Sequence, residues 1–219
     1  LTGDRLRHIV TCLDKEGADA ILVGGSSHID QLLLDSQIEK IKKISQLPVI
    51  LFPGNITGLS PKADAVLFLS LLNSLDPYYL IGAQVLGAPI IRRYDLEVLP
   101  TGYLIIYAES AAAFIGRAYP FPEHKPELVA MYGLAAGYLG MRYLYLEAGS
   151  GSKKTVEEDM IAATRKVYDG TLIVGGGITS HDIAAKKIRA GADAIVIGNL
   201  LERKDFEKEM KEIIRETER

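Results

Sequence analysis

Leu172-Ile173-Val174-Gly175-Gly176-Gly177-Ile178 and Ala194-Ile195-Val196-Ile197-Gly198-Asn199 decide how this chain is read. Each is a short apolar, β-branched run that ends in glycine and leads towards a stretch with helical spacing, the pattern of a buried strand followed by a βα turn. Glycine lets backbone N–H groups approach a ligand with no Cβ in the way, and the N-terminus of the next helix adds a positive dipole end. Two such turns on consecutive βα units predict a cradle for one phosphate. In parallel (β/α) barrels that cradle sits in the loops after strands seven and eight. A tight turn without a ligand would explain either glycine run alone; the pair favours the site.

The same alternation extends outward over the chain. Apolar runs predict strands near Ala20–Val23, Val49–Phe52, Ala65–Leu69, Gly102–Ile106, Tyr143–Leu146, Leu172–Val174 and Ala194–Ile197. Helical spacing predicts helices near Asp4–Glu16, Asp30–Ser45, Tyr78–Leu86, Pro126–Leu139, Val156–Tyr168, His181–Ala190 and Asp205–Glu216. The strand entries Gly17-Ala18-Asp19-Ala20, Lys62-Ala63-Asp64-Ala65 and Gly191-Ala192-Asp193-Ala194 resemble one another, a weak internal repeat of βα units. The expected fold is a single α/β domain over 1–219, a (β/α)8 TIM-type barrel whose first strand is missing from the sequence shown, because a closed barrel of this kind needs eight strands. An open doubly wound sheet is the alternative, but it places its phosphate-binding glycines after the first strand rather than the last two. Pro89 to Thr101 looks too irregular for a helix and too long for a βα connection, which predicts a segment shaping the mouth of a groove.

With 219 residues, 48% of them hydrophobic, the chain can bury a sizeable core. No apolar run approaches the ~18 residues of a membrane span and no basic-then-apolar leader opens the sequence, so a cytoplasmic protein is expected. Cys12 is the only cysteine, which rules out an internal disulfide and a cysteine-rich metal site. A net charge of −3 gives no global field for nucleic acid.

Tyr145-Leu146-Glu147-Ala148-Gly149-Ser150-Gly151 ends a buried strand in a glycine-rich loop, with Tyr145 and Glu147 on one side of the strand. At the C-terminal end of a barrel strand, a carboxylate can accept a hydroxyl proton and a phenol can orient the substrate. A solvated loop acid and a core aromatic are the simpler alternative. Gly24-Gly25-Ser26-Ser27-His28 offers hydroxyls to a metal-bound diphosphate, or is only a turn in which Ser27 or Asp30 caps a helix. Ser70, Asn73 and Ser74 are polar groups expected at the same mouth. The small residues of Glu109–Gly116 and Leu134–Gly140 suit helix packing or a greasy ligand. No Gly-x-Ser-x-Gly elbow, dinucleotide glycine spacing or Walker lysine is present.

Taken together, Val23-Gly24-Gly25-Ser26, Phe52-Pro53-Gly54-Asn55, Leu69-Ser70-Leu71-Leu72-Asn73-Ser74, the Tyr145–Gly151 segment, Val174-Gly175-Gly176-Gly177-Ile178 and Ile197-Gly198-Asn199 resemble, in order and register, the geranylgeranylglyceryl phosphate synthase family and its bacterial heptaprenylglyceryl phosphate relatives. The resemblance implies a magnesium-dependent prenyltransferase. It would join the 3-hydroxyl of sn-glycerol 1-phosphate to C1 of geranylgeranyl diphosphate and release pyrophosphate. It also implies that Tyr145, Leu146, Glu147, Ala148, Gly149, Ser150, Gly151, Gly176, Gly177, Gly198 and Asn199 hold the glycerol phosphate. Ser26 would bind magnesium with an aspartate expected upstream of Leu1. A homo-oligomer and a transient membrane contact are expected partners of this reading. A heptaprenyl or other donor, a phosphosugar barrel enzyme and a non-catalytic phosphate-binding barrel are the alternatives.

Overall fold

The computed structural model describes residues 3–25 and 30–217, and the chain divides into two compact units. One comprises Leu1–Phe68 with Ile81–Leu99, the other Leu69–Leu80 with Pro100–Arg219. The strands are β1 (Ile21–Gly25), β2 (Val49–Pro53), β3 (Ala65–Leu71), β4 (Glu97–Ile105), β5 (Tyr143–Glu147), β6 (Thr171–Gly175) and β7 (Ala194–Val196), hydrogen-bonded in chain order. The β1–β2, β2–β3, β4–β5, β5–β6 and β6–β7 ladders are all parallel. Parallel neighbours in sequence order require a crossover between each pair. Helices α1 (Gly3–Glu16), α2 (Gln31–Ile44), α3 (Ala83–Tyr94), α4 (Ala111–Ile115), α5 (Pro126–Tyr138), α6 (Glu158–Arg165), α7 (His181–Arg189) and α8 (Phe206–Thr217) fall along the chain between and around the strands. This is an α/β fold of the TIM-barrel type, with the seven strands read from the sequence.

In the first unit the apolar faces of α1 and α2 bury Leu6, Val10, Leu34 and Ile38 against Val49 and Leu51 of β2. Asp30 starts α2 by accepting the Leu32 and Leu33 amides at 2.8 and 3.3 Å. Asp64 fastens two elements at once. Its carboxylate takes the Val49 N–H at 2.8 Å and the Lys42 ammonium at 2.5 Å, while its own N–H donates to the Val49 carbonyl. Burial pushes this carboxyl up, but Lys42 and the Val49 N–H outweigh it and hold it below its ordinary value.

The segment at Pro89 differs from expectation. Residues up to Tyr94 continue α3 straight through Pro89, and β4 begins at Glu97, so the stretch is regular helix and strand rather than an irregular connection. A single turn of π-helix, Tyr78–Gly82, precedes α3, and Asp95 closes it in the left-handed conformation at φ 54°. Helix breaking by an interior proline is overridden where packing of Gly87 and Ile91 holds the flanking turns.

In the second unit Gly133 brings α5 against α6, since a Cβ there would lie 2.8 Å from the Thr164 methyl. The small residues of α5 thus serve helix packing at this point. Asp193 repeats the arrangement of Asp64: its carboxylate accepts the Leu172 N–H at 2.7 Å and Arg165 Nη1 at 2.8 Å, and its N–H donates to the Leu172 carbonyl at 2.8 Å.

Candidate functional site

The site grows from the end of β5. Side chains alternate along a strand, so Tyr145 and Glu147 share one side. Both are buried, at 1% and 7% exposure, and the Tyr145 hydroxyl is hydrogen-bonded to the Glu147 carboxylate. Tyr103, on β4, meets Tyr145 edge to face with ring centres 5.4 Å apart. Beyond the strand the chain turns back, and Glu147 Oε1 accepts the Gly149 N–H at 2.6 Å. Burial pushes the Glu147 carboxyl above its ordinary value, against the opposing pull of the Gly149 N–H and the Tyr145 hydroxyl. Burial, and then the adjacent Glu147 charge, drive the Tyr145 phenol well up, so it remains a hydrogen-bond donor. A carboxylate with one phenol and one amide fixing it is a proton acceptor of defined orientation.

The glycine turns close on this strand end. Gly176 and Gly177 have φ of +84° and +71°, the left-handed region that glycine tolerates. A Cβ on Gly176 would collide with Glu147 Oε1 and lie 2.7 Å from the Gly149 nitrogen. A Cβ on Gly177 would lie 2.5 Å from the Lys154 carbonyl oxygen and 3.2 Å from that of Ser152. From the turn after β7, Asn199 Oδ1 accepts the Gly151 N–H at 3.0 Å. A Cβ on Gly198 would meet nothing within 4 Å. The structure therefore brings Tyr145, Glu147, Ala148, Gly149, Gly151, Gly176, Gly177, Gly198 and Asn199 into one place. Ser150 is exposed on the same loop. Leu146 is fully buried and alternates away from the acid, so its side chain is core.

Other expected site residues are placed differently. Ser70, Asn73 and Ser74 do not aim at a mouth. Ser70 Oγ donates to the Leu80 carbonyl at 2.6 Å and Ser74 Oγ to the Gly116 carbonyl at 2.6 Å. Asn73 donates to the Ile105 and Tyr119 carbonyls, both at 2.8 Å, and accepts the Ile105 N–H at 3.2 Å. Buried polar groups must be paired, and Asn73 and Ser74 are consumed as struts between segments far apart in sequence, while the half-buried Ser70 ties its strand to the turn ten residues on. Ser26, Ser27 and His28 lie outside the described residues. Among the described residues no three His, Cys, Asp or Glu side chains gather as a metal site.

Sequence reading did not single out Tyr107 or Lys154. The Tyr107 hydroxyl donates to the Thr155 carbonyl at 3.1 Å, Lys154 pairs with Glu123, and the Lys154 ammonium stands 5.5 Å from the centre of the Tyr107 ring. These contacts tie the loop after β5 to the segment after β4. They join residues that only the folded chain makes neighbours, so no local signal marked them.

The chain is similar along nearly its whole length to proteins of known activity. A profile described as the PcrB family matches residues 4–217. The geranylgeranylglyceryl phosphate synthase of Sulfolobus acidocaldarius is 50% identical over 214 residues, 97% of this chain and 82% of that protein. Its namesake in Nitrosopumilus maritimus is 49% identical over 207 residues, 94% of this chain and 83% of that protein. The crystal structure of (S)-3-O-geranylgeranylglyceryl phosphate synthase from Thermoplasma acidophilum, in complex with its substrate sn-glycerol-1-phosphate, matches with a TM-score of 0.93 at 36% identity, covering 97% of this chain and 87% of that one.

Proposed function

The chain belongs to the PcrB family, and from this we infer that it is a prenyltransferase that joins sn-glycerol 1-phosphate to geranylgeranyl diphosphate through an ether bond, with release of pyrophosphate. The observation that carries the reading to particular residues is the closure of two glycine turns on the end of β5 and its loop: Gly176 against the buried Glu147, and Asn199 against Gly151.

In this reading the turns at Gly176-Gly177 and Gly198-Asn199 hold the acceptor phosphate through backbone N–H groups, and the open space at Gly198 is where it approaches most closely. The Tyr145–Gly151 segment carries the glycerol. The acceptor hydroxyl oxygen attacks C1 of the donor as the bond from C1 to the diphosphate oxygen breaks, the electron pair leaves with pyrophosphate, and the hydroxyl proton passes to Glu147. Attack on a cation-like carbon needs proton removal only late, so a carboxylate is a sufficient base. Tyr145 orients that carboxylate and Tyr103 backs the phenol. Holding the hydroxyl in line with C1 is most of what the protein contributes.

Magnesium is proposed as the cofactor on the resemblance of Val23-Gly24-Gly25-Ser26 to the family. The described residues do not themselves make up a metal site, and no step above runs through the metal. Bound magnesium would neutralise the leaving diphosphate. The reading is tested by incubating the chain with sn-glycerol 1-phosphate and C15, C20, C25 and C35 prenyl diphosphates in competition, and measuring pyrophosphate and the ether product. The C20 product is expected to dominate, and EDTA is expected to stop turnover until magnesium is restored. A C35 product would correct the donor; binding without pyrophosphate release would leave only a phosphate-binding barrel. Activity undiminished by EDTA would remove the metal.

A homo-oligomer working in the cytoplasm completes the proposal. Phe114 on α4 and Tyr138 on α5 are 84% and 83% exposed, which supports burial against another copy. Sedimentation at the mass of one chain would exclude it. No helix among the described residues is long and apolar enough to cross a membrane, and contact with a bilayer during donor uptake is proposed as transient.

A further inference from the structure

Lys187 is 1% exposed, an unusual place for a lysine. It lies on α7, and its ammonium donates to the Val156 carbonyl and to Glu158 Oε1, both at 2.7 Å. Burying an ammonium is unfavourable unless its bonds are made, and a methionine would fill much of the same volume without that penalty. The side chain is therefore explained by what its two bonds hold. They hold the end of the loop that runs from β5 into α6. Two residues before Val156, the Lys154 carbonyl faces Gly177, close enough to leave no room for a Cβ there. Gly177 in turn leads into α7, which Ser180 caps. The loop after β5 thus touches α7 at Lys187 and touches the turn that feeds α7 at Gly177. Tyr107 secures the carbonyl between them, that of Thr155, from the β4 side.

We propose that Lys187 is a positioning residue for the acceptor: by clamping Val156 and Glu158 to α7 it seats residues 152–155 against the Gly177 turn and so holds that turn of the glycerol phosphate site in place. This rests on the reading of the Gly176-Gly177 turn as the acceptor's phosphate cradle. Without the clamp, the loop that supplies Ser152 and Lys154 keeps the Tyr107 and Glu123 contacts, but its seat on Gly177 loosens. The Gly177 turn then loses its backing, and the N–H groups it offers to the phosphate lose their fixed direction. The site of proton transfer, Glu147, is fixed separately by Tyr145 and Gly149 and keeps its geometry.

The test is calorimetric titration with sn-glycerol 1-phosphate, together with steady-state kinetics, on the whole chain and on Lys187→Met. The variant is expected to bind sn-glycerol 1-phosphate about tenfold more weakly and to raise the acceptor KM to match, with the donor KM and the kcat at saturating acceptor within about twofold. A loss of stability alone would not move the acceptor KM selectively at a temperature where circular dichroism shows the chain folded. Glu158→Gln keeps the loop sequence and removes only the charge from a half-exposed partner, and it should shift acceptor affinity in the same direction by a smaller factor. If Lys187→Met does not fold, Glu158→Gln decides: unchanged acceptor affinity there overturns the clamp. Equal affinity in folded Lys187→Met overturns the clamp while leaving the acceptor reading intact. Absence of binding to the unsubstituted chain overturns the acceptor reading, and the clamp with it.

Discussion

Glu147→Gln is expected to lower kcat by about 100- to 1,000-fold, the range that removal of a positioned general base produces, with the acceptor KM within about threefold. Glutamine keeps an oxygen for the Gly149 N–H and the Tyr145 hydroxyl, so the loop stays in place and only the proton acceptor is lost. Turnover within about threefold of the unsubstituted chain would show that another group takes the proton. The pH dependence has a definite sign. A base works only when ionised, and burial raises this carboxyl, so the acid limb of the rate profile should lie above the ordinary carboxylate range. For stability the same shift acts in reverse. A carboxyl whose folded-state value is raised stabilises the fold only while protonated, and that contribution is lost as pH climbs from the unfolded-chain value through the raised one. Glu147→Gln does not ionise and escapes this loss. Thermal melts across pH should show the variant equal to or better than the parent at neutral pH, although its activity is nearly gone.

The second large effect is a contrast between two glycines. Gly176→Ala should abolish detectable acceptor binding and lower the melting temperature, because the new methyl group would be driven into Glu147 Oε1 and the amides of Ala148 and Gly149, at a φ of +84°. Gly198→Ala should leave the melting temperature nearly unchanged, because its methyl group enters open space and its φ is −122°. If a phosphate approaches there, the same substitution raises the acceptor KM. Equal melting temperatures for parent and Gly176→Ala would refute the packing argument. An unchanged acceptor KM in Gly198→Ala would take that turn out of the cradle.

Both glycine runs were visible in the sequence, and the reason for each was only half visible. A glycine that ends an apolar run announces a turn, but whether the missing Cβ makes room for a ligand or for the protein itself depends on what the rest of the chain brings there. Gly176 and Gly177 make room for β5 and its loop; Gly198 borders open space. The strands β2, β5 and β6 were legible because each is built around a run of apolar residues, the mark of parallel strands covered by helices. The start of β4 at Glu97 was not, since Glu97-Val98 is exposed and carries no burial pattern. α3 was cut short in the reading by Pro89, a local rule that tertiary packing overrode. Asn73 read as a mouth residue because polar groups after a strand often are. Its partners, Ile105 and Tyr119, lie too far along the chain for any local pattern to disclose. Lys187 was hidden for the same reason.

Asp64 and Asp193 perform the same reciprocal fastening, one in each compact unit, and in both the cation comes from the last turn of the helix that leads into the fastened strand. Such a joint refers only to its own helix and the two strands it links. It asks nothing of a ligand or of the residues that make the mouth. The joint thereby fixes the entry end of its strands while leaving the loops at their opposite ends free to differ. The resemblance between Lys62-Ala63-Asp64-Ala65 and Gly191-Ala192-Asp193-Ala194 is the sequence mark of that joint, a shared carpentry beneath turns that do different work.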